Sequence, residues 1–331
     1  MTTVRRCLIV GPSWVGDMIM AQALFKSLHN RHPNLNLDVL APAWSHGILA
    51  RMPEVRQALA APFAHGRFGL GERWRLGREL AAERYDQAIV LPNSWKSALV
   101  PFFAGIPLRT GYVGEFRCGL LNDSHRLDKA GMPRLVDRYR ALADGVDETV
   151  TQPRLRVDPD TQRVALARLG LDLDRPILAF CPGAEYGTAK RWPIGHYAAV
   201  ARTKLDQGWQ VWLFGSGKDR STTSAINALL ADHCHDLAGR TSLEAVADLL
   251  ACARTVVSND SGLMHVAAAV GVPVIALYGS TDPGYTPPLS DRARILRLGL
   301  DCSPCFKREC PLGHLDCLNK LAPEQVLEAL A

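Results

Sequence analysis

Four times in this chain a short apolar run ends in a turn that carries glycine, and a helix-like stretch follows. Residues 7–10 run into Gly11-Pro12-Ser13-Trp14-Val15-Gly16-Asp17, and residues 177–181 into Pro182-Gly183-Ala184-Glu185-Tyr186-Gly187. Residues 211–214 lead to Gly215-Ser216-Gly217-Lys218-Asp219, and residues 255–257 to Ser258-Asn259-Asp260-Ser261-Gly262. A strand that ends in a helix has to return before it can pair again, so its partner strands run parallel. Further strands are expected at 37–40, 88–91 and 274–277. Helices are expected near 17–29, 44–51, 159–169, 193–207, 219–230, 243–250 and 263–269. The fold class is therefore α/β, with two doubly wound halves facing across a cleft. Ligands in such folds bind at the carboxyl ends of the strands.

A chain of 331 residues has room for two such halves. The run T-V-T-Q-P-R-L-R-V-D-P at 149–159 breaks the alternation, because its prolines favour extended backbone. The expected domains are accordingly 1–155 and 156–331. With 47% hydrophobic and 21% charged residues the composition is that of a globular chain. Residues 1–6 run straight into the first strand with no leader pattern, and the apolar stretch 263–277 is too short to span a bilayer. The expected location is the cytoplasm, with reduced cysteines. The net charge is +5, and all of it lies in the first 150 residues, which hold 19 basic against 14 acidic side chains. The first half thus suits an anionic partner, or carries a plain solubility charge.

The stretch F-C-P-G-A-E-Y-G-T-A-K-R-W-P, residues 180–193, joins a buried strand to a helix that Pro193 opens. Glycines such as Gly183 and Gly187 let backbone amides approach an oxyanion, and Lys190 and Arg191 add positive charge. The stretch suits an anion site, expected to hold phosphate, and also an ordinary strand-to-helix connection with a solvated basic pair. Asp260, Ser261 and Gly262 form a second such turn, at the start of another helix, with His265 one turn in. Two anion-friendly turns in one half suit a diphosphate. In the third turn, Gly215 precedes Asp219, whose carboxylate suits a ribose hydroxyl pair. Asp17 stands at the start of the first helix. Its position suits a general base facing the cleft, and equally a helix N-cap. The first turn lacks the G-x-G-x-x-G spacing, which disfavours a nicotinamide-dependent oxidoreductase.

Val15-Gly16-Asp17, P-G-A-x-x-G-x-A-K-R-W-P, S-N-D-S-G-L-M-H, G-V-P-V-I-A-L-Y-G-S-T and T-G-Y-V-G-E-F-R (110–117) occur here in order. In these motifs the chain resembles the ADP-heptose:lipopolysaccharide heptosyltransferases of glycosyltransferase family 9. The likeness covers nearly the whole chain and is nearest to the branch that adds the second inner-core heptose. The resemblance implies a GT-B fold of two Rossmann-like domains, the first binding the acceptor and the second the nucleotide sugar. It implies an inverting transfer from ADP-L-glycero-D-manno-heptose, with no metal or other cofactor. The acceptor would be lipid A–Kdo bearing one heptose. By position, Asp17 would be the catalytic base and Lys190 the diphosphate contact. Gly183, Thr188, Gly215, Asp219, Asp260, Ser261, Gly262 and His265 would complete the nucleotide-sugar site. Trp95, Lys96, Arg117 and Arg138 are candidates for the acceptor. The enzyme would be a monomer meeting the inner face of the inner membrane peripherally, with no nucleic-acid partner.

Two other features stand apart. Cys302-Ser303-Pro304-Cys305 with Cys310 and Cys317 has some of the spacing of a zinc site, but no second C-x-x-C; a reduced cysteine loop is the preferred reading. Residues 63–84 are rich in arginine around Trp74, Leu76 and Leu80, which reads as a solvated arginine face or a membrane-surface helix. The competing functions are heptosyltransferase I, another ADP-heptose transferase, and a nucleic-acid-binding protein with a cysteine zinc knuckle. Strongly salt-dependent duplex binding with stoichiometric zinc would mark the last of these.

Overall fold

The computed structural model describes residues 4–63, 68–143 and 152–330. Arg67 and residues 149–151 of the expected linker lie outside them. The chain divides into two compact units, Met1–Pro153 and Arg154–Ala331.

The first unit is built on a six-stranded parallel sheet of β1 (Arg6–Val10), β2 (Asn36–Ala41), β3 (Gln57–Ala60), β4 (Gln87–Val90), β5 (Leu108–Tyr112) and β6 (Asp123–His125). Its strand order is β3-β2-β1-β4-β5-β6. The second unit holds β7 (Ile177–Cys181), β8 (Gln210–Leu213), β9 (His235–Asp236), β10 (Thr255–Asn259), β11 (Val274–Leu277) and β12 (Ala293–Leu296). Its order, β12-β11-β10-β7-β8-β9, is the same doubly wound arrangement. Every central strand is buried on both faces, as continuous Val, Ile, Leu and Ala runs require.

In each sheet the chain starts in the middle and winds first one way, then the other. The direction changes between β1 and β4, paired from Cys7↔Gln87 to Val10↔Val90. In the second unit it changes between β7 and β10, paired from Leu178↔Thr255 to Cys181↔Ser258. Crossover loops leave such a pair in opposite directions, so a crevice opens beyond its carboxyl ends.

Sequence and structure agree closely at the buried strands β7 and β11 and at one well-capped helix. The helix Pro159–Leu169 has the expected bounds. Asp158 caps it, accepting from the Asp160 and Thr161 amides, and Gly170 ends it in the left-handed conformation. Elsewhere the structure refines the expectation. The first helix is Val15–Arg31, so Asp17 is its third residue and not its N-cap; Trp14 holds the cap position. The region near 44–51 is a 3₁₀ turn, Ala43–Ser45, followed by the short helix His46–Leu49. Among the described residues no helix is long and apolar enough to cross a membrane.

Candidate functional site

The residues singled out by sequence converge on the two switch points. In the second unit the turn after β7 carries Gly183 to Lys190, and the turn after β10 carries Asp260, Ser261 and Gly262. Ser261 is the N-cap of the helix Gly262–Ala269, whose first amides have no partners within the helix. Lys190 ends a short 3₁₀ turn, Thr188–Lys190, in which Thr188 is exposed. Its ammonium donates to Asp260 Oδ2 at 2.5 Å, and the Thr281 hydroxyl donates to the same oxygen at 2.6 Å. Asp260 is 5% exposed, so its side chain is held in a dry place by an ammonium and a hydroxyl. An ammonium has three donors, and the contact with Asp260 leaves capacity for a phosphate oxygen. Lys190 also lies 5.0 Å from the centre of the Tyr186 ring.

Asn259, to which the sequence motif assigned no task, sets the shape of this site. It is fully buried at the end of β10. Its Oδ1 accepts from the Trp192 amide (3.1 Å) and the Tyr197 hydroxyl (3.0 Å), and its Nδ2 donates to the Pro182 carbonyl (2.6 Å). Pro182 and Trp192 flank the glycine loop, so one side chain clamps both ends of it. Only a full set of long-range contacts reveals this.

Gly183 and Gly187 are glycines because the chain passes too close for a side chain. A Cβ on Gly183 would meet the Asp219 carboxylate at 2.5 Å, and one on Gly187 would meet the Arg308 carbonyl oxygen at 2.2 Å. Asp219 thus lies beside Gly183 and Gly215. One of its oxygens is used locally: Oδ2 accepts from the Ser216 amide (2.9 Å) and hydroxyl (2.7 Å). His265 lies inside the helix after Ser261 and is buried. Burial pushes its imidazole down to about 4, the nearby Asp260 carboxylate partly offsetting this and Lys190 adding to it. It is a neutral wall of the site near pH 7.

The cysteine segment braces the turn after β7 and the loop after β11. The Arg308 carbonyl accepts from the Ala189 amide (3.0 Å), the Phe306 carbonyl from the Tyr186 hydroxyl (2.8 Å), and the Ser280 carbonyl from the Phe306 amide (2.7 Å). Cys302, Cys305, Cys310 and Cys317 line one hollow beside Ala189 and Ser280. Backbone amides, Leu315 foremost, then Leu312, Gly313 and His314, point at the Cys310 sulfur and hold its thiol below the usual range. Among the described residues no group of three or more His, Cys, Asp or Glu is arranged to hold a metal ion.

In the first unit, Asp17 follows β1 and the loop 91–95 follows β4, so they flank that unit's switch point. Asp17 is partly exposed in the first turn of its helix, where the dipole favours a carboxylate. Trp95 is 38% exposed and stacks on Phe68 with ring centres 4.9 Å apart. Lys96 is half-buried, and its carbonyl accepts from Arg73 at 3.2 Å. Arg117 is placed differently from a surface contact, and Arg138 is half-buried. Arg117 is 3% exposed, and its guanidinium donates to the Pro92 and Tyr112 carbonyls and to the Asn93 side chain. It locks the loop after β4 to the end of β5. Arg138 donates to the Met132 and Pro133 carbonyls, at 2.8 and 3.2 Å. Both arginines shape loops, because a buried or half-buried guanidinium must find acceptors.

The chain matches glycosyltransferase family 9 (heptosyltransferase) over residues 73–316. It is 47% identical to lipopolysaccharide heptosyltransferase 2 of Escherichia coli K12, the match covering 98% of this chain and 97% of that one. It is 49% identical to lipooligosaccharide heptosyltransferase 2 of Haemophilus influenzae, with the same coverage. The solved structure of E. coli ADP-heptose lps heptosyltransferase II superposes with a TM-score of 0.89, at 45% identity, covering 98% of this chain and 97% of that one. Sheet order, switch-point turns and full-length likeness agree: this chain has a GT-B fold and belongs to glycosyltransferase family 9, the heptosyltransferases.

Proposed function

We propose that this enzyme is a heptosyltransferase II, moving L-glycero-D-manno-heptose from ADP-heptose to the first heptose of the lipopolysaccharide inner core. The observation that carries the reading is the Lys190–Asp260–Thr281 cluster, set at the β7/β10 switch point of a chain whose near full-length relatives bear that name.

Inversion is a single displacement. The acceptor hydroxyl oxygen forms a bond to the anomeric carbon as the bond to the ADP oxygen breaks, and the acceptor's proton leaves at the same time. Asp17, from the first unit, takes that proton. Lys190 and the amides at Ser261 and Gly262, from the second, receive the charge that develops on the departing diphosphate. Asp260 orients Lys190 and accepts from heptose hydroxyls. Asp219, Gly183, Thr188 and Gly215 line the nucleotide end, with His265 behind them. Trp95 and Lys96 meet the acceptor, while Arg117 and Arg138 hold the loops that do. The enzyme works as a monomer on the cytoplasmic side, against the surface of the inner membrane.

Asp17→Asn tests the assignment. Asparagine keeps the shape but cannot take the proton, so transfer should fall by roughly a hundredfold or more while ADP-heptose binding in calorimetry stays unchanged. Near-normal turnover of the variant would remove Asp17 from this role.

A further inference from the structure

We propose that the outer face of the helix Leu70–Leu80 is the surface by which this enzyme docks on an anionic lipid bilayer. The proposal rests on the reading that the acceptor is a lipid, but it can be tested without any acceptor.

The helix is divided in an unusual way. Its inner face consists of Arg73, Gly77 and Leu80, all buried. Gly77 lies so close to the helix Leu99–Phe103 that a Cβ there would come within 2.5 Å of the Phe103 Cβ. Arg73 is turned inward, donating to the Phe68 and Lys96 carbonyls, with its guanidinium 3.9 Å from the centre of the Phe63 ring. The outer face should then be polar. Instead Leu70 is 47% and Trp74 54% exposed, at i and i+4, with Arg78 at i+8 and Arg75 beside them. Glu79 lies at the far end of this face. The adjoining helix adds Phe102, 42% exposed, with Arg109 stacked 5.6 Å from its ring centre.

Two asymmetries set the first unit, which carries this helix, apart from the second. All four tryptophans of the first unit (Trp14, Trp44, Trp74 and Trp95) are exposed, whereas Trp192 and Trp212 of the second are buried and Trp209 is half-buried. The whole positive excess of the chain also lies in its first 150 residues. An indole prefers the headgroup level of a bilayer, an arginine beside it meets lipid phosphate, and excess positive charge is drawn to anionic lipid. A protein partner would instead call for an apolar centre depleted of charge, and here Arg75 and Arg78 stand near Trp74 and Arg109 against Phe102. With eleven residues the helix lies on a surface and does not cross it.

The test is flotation of the purified full chain with vesicles of phosphatidylcholine, with and without phosphatidylglycerol. Binding is expected only to the anionic vesicles, and the double variant Arg75→Glu/Arg78→Glu should weaken it by roughly twentyfold or more, from about fivefold per arginine. Brominated lipid should quench tryptophan fluorescence in the wild type, and Trp74→Phe should lose most of that quenching. Turnover on a soluble acceptor lacking acyl chains should be unchanged in both variants, and Arg163→Glu on the second unit should bind vesicles like the wild type. The proposal is overturned by failure to bind anionic vesicles or by equal binding to neutral ones. It is overturned too by an equal effect of Arg163→Glu, or by loss of turnover on the soluble acceptor, which would put this face in the acceptor site. Vesicle binding without heptose transfer would sink the functional reading alone.

Discussion

Lys190 and Asp260, seventy residues apart in sequence, meet at 2.5 Å where β7 and β10 end side by side. The pair ties together the two turns that sequence reasoning identified separately as anion sites. It also holds the lysine in one place. An ammonium on a flexible stem loses side-chain entropy when fixed, and here a buried carboxylate, itself fixed by Thr281, has already imposed that order. Lys190→Met should therefore lower kcat by about a hundredfold or more, with a smaller loss of ADP-heptose affinity. Asp260→Asn should keep more of the activity, because its amide oxygen can still accept from Lys190. Steady-state kinetics of both variants decides the order, and a milder effect for Lys190→Met would argue against its role on the leaving group.

Asn259 predicts a different kind of defect. Replacing it by Leu leaves the Trp192 amide, the Tyr197 hydroxyl and the Pro182 carbonyl buried without their partner. Each orphaned group costs on the order of 1–3 kcal/mol, so the loss of stability in urea unfolding should reach about 3 kcal/mol or more. The glycine loop would also be released at both ends, raising the KM for ADP-heptose. Unchanged stability with unchanged KM would show that the clamp is dispensable.

His265 gives the account a pH signature. Its imidazole is held near 4 in the folded enzyme against 6.5 as the ordinary value, chiefly by burial. A base depressed on folding contributes stability that is present above pH 6.5 and is lost as the pH falls towards 4, because the unfolded chain takes up the proton first. The limit for such a shift is about 3 kcal/mol. Stability measured in denaturant at pH 7.5 and at pH 5 should therefore differ less in His265→Gln than in the wild type. The same pH dependence in both proteins would contradict the assignment.

How much of this was legible in the sequence follows from which interactions were local. β7, β11 and the helix Pro159–Leu169 are fixed by unbroken apolar runs and by caps within a few residues, and sequence bounds match structural ones there. β3, β6, β9 and β12 sit away from the sheet centres and show half-exposed patterns with no apolar run to read. Only pairing with a neighbour makes them strands. In the site, the glycine turns could be seen because glycine marks close approach, even though the neighbours at Gly183 and Gly187 are Asp219 and Arg308. The tasks of Asn259, Thr281 and Arg117 were hidden, since each depends on partners brought together by the fold. Residues 63–84 conceal a similar division: Arg73 turns inward and Arg75 outward within one helix.

The most direct test of the central claim is a transfer assay with ADP-heptose and two purified acceptors, one the bare lipid A–Kdo core and the other already carrying one heptose, with products read by mass spectrometry. One heptose should be gained on the second acceptor and none on the first. Transfer to the bare core would contradict that claim in favour of the enzyme that adds the first heptose, and transfer to neither would contradict the functional reading altogether.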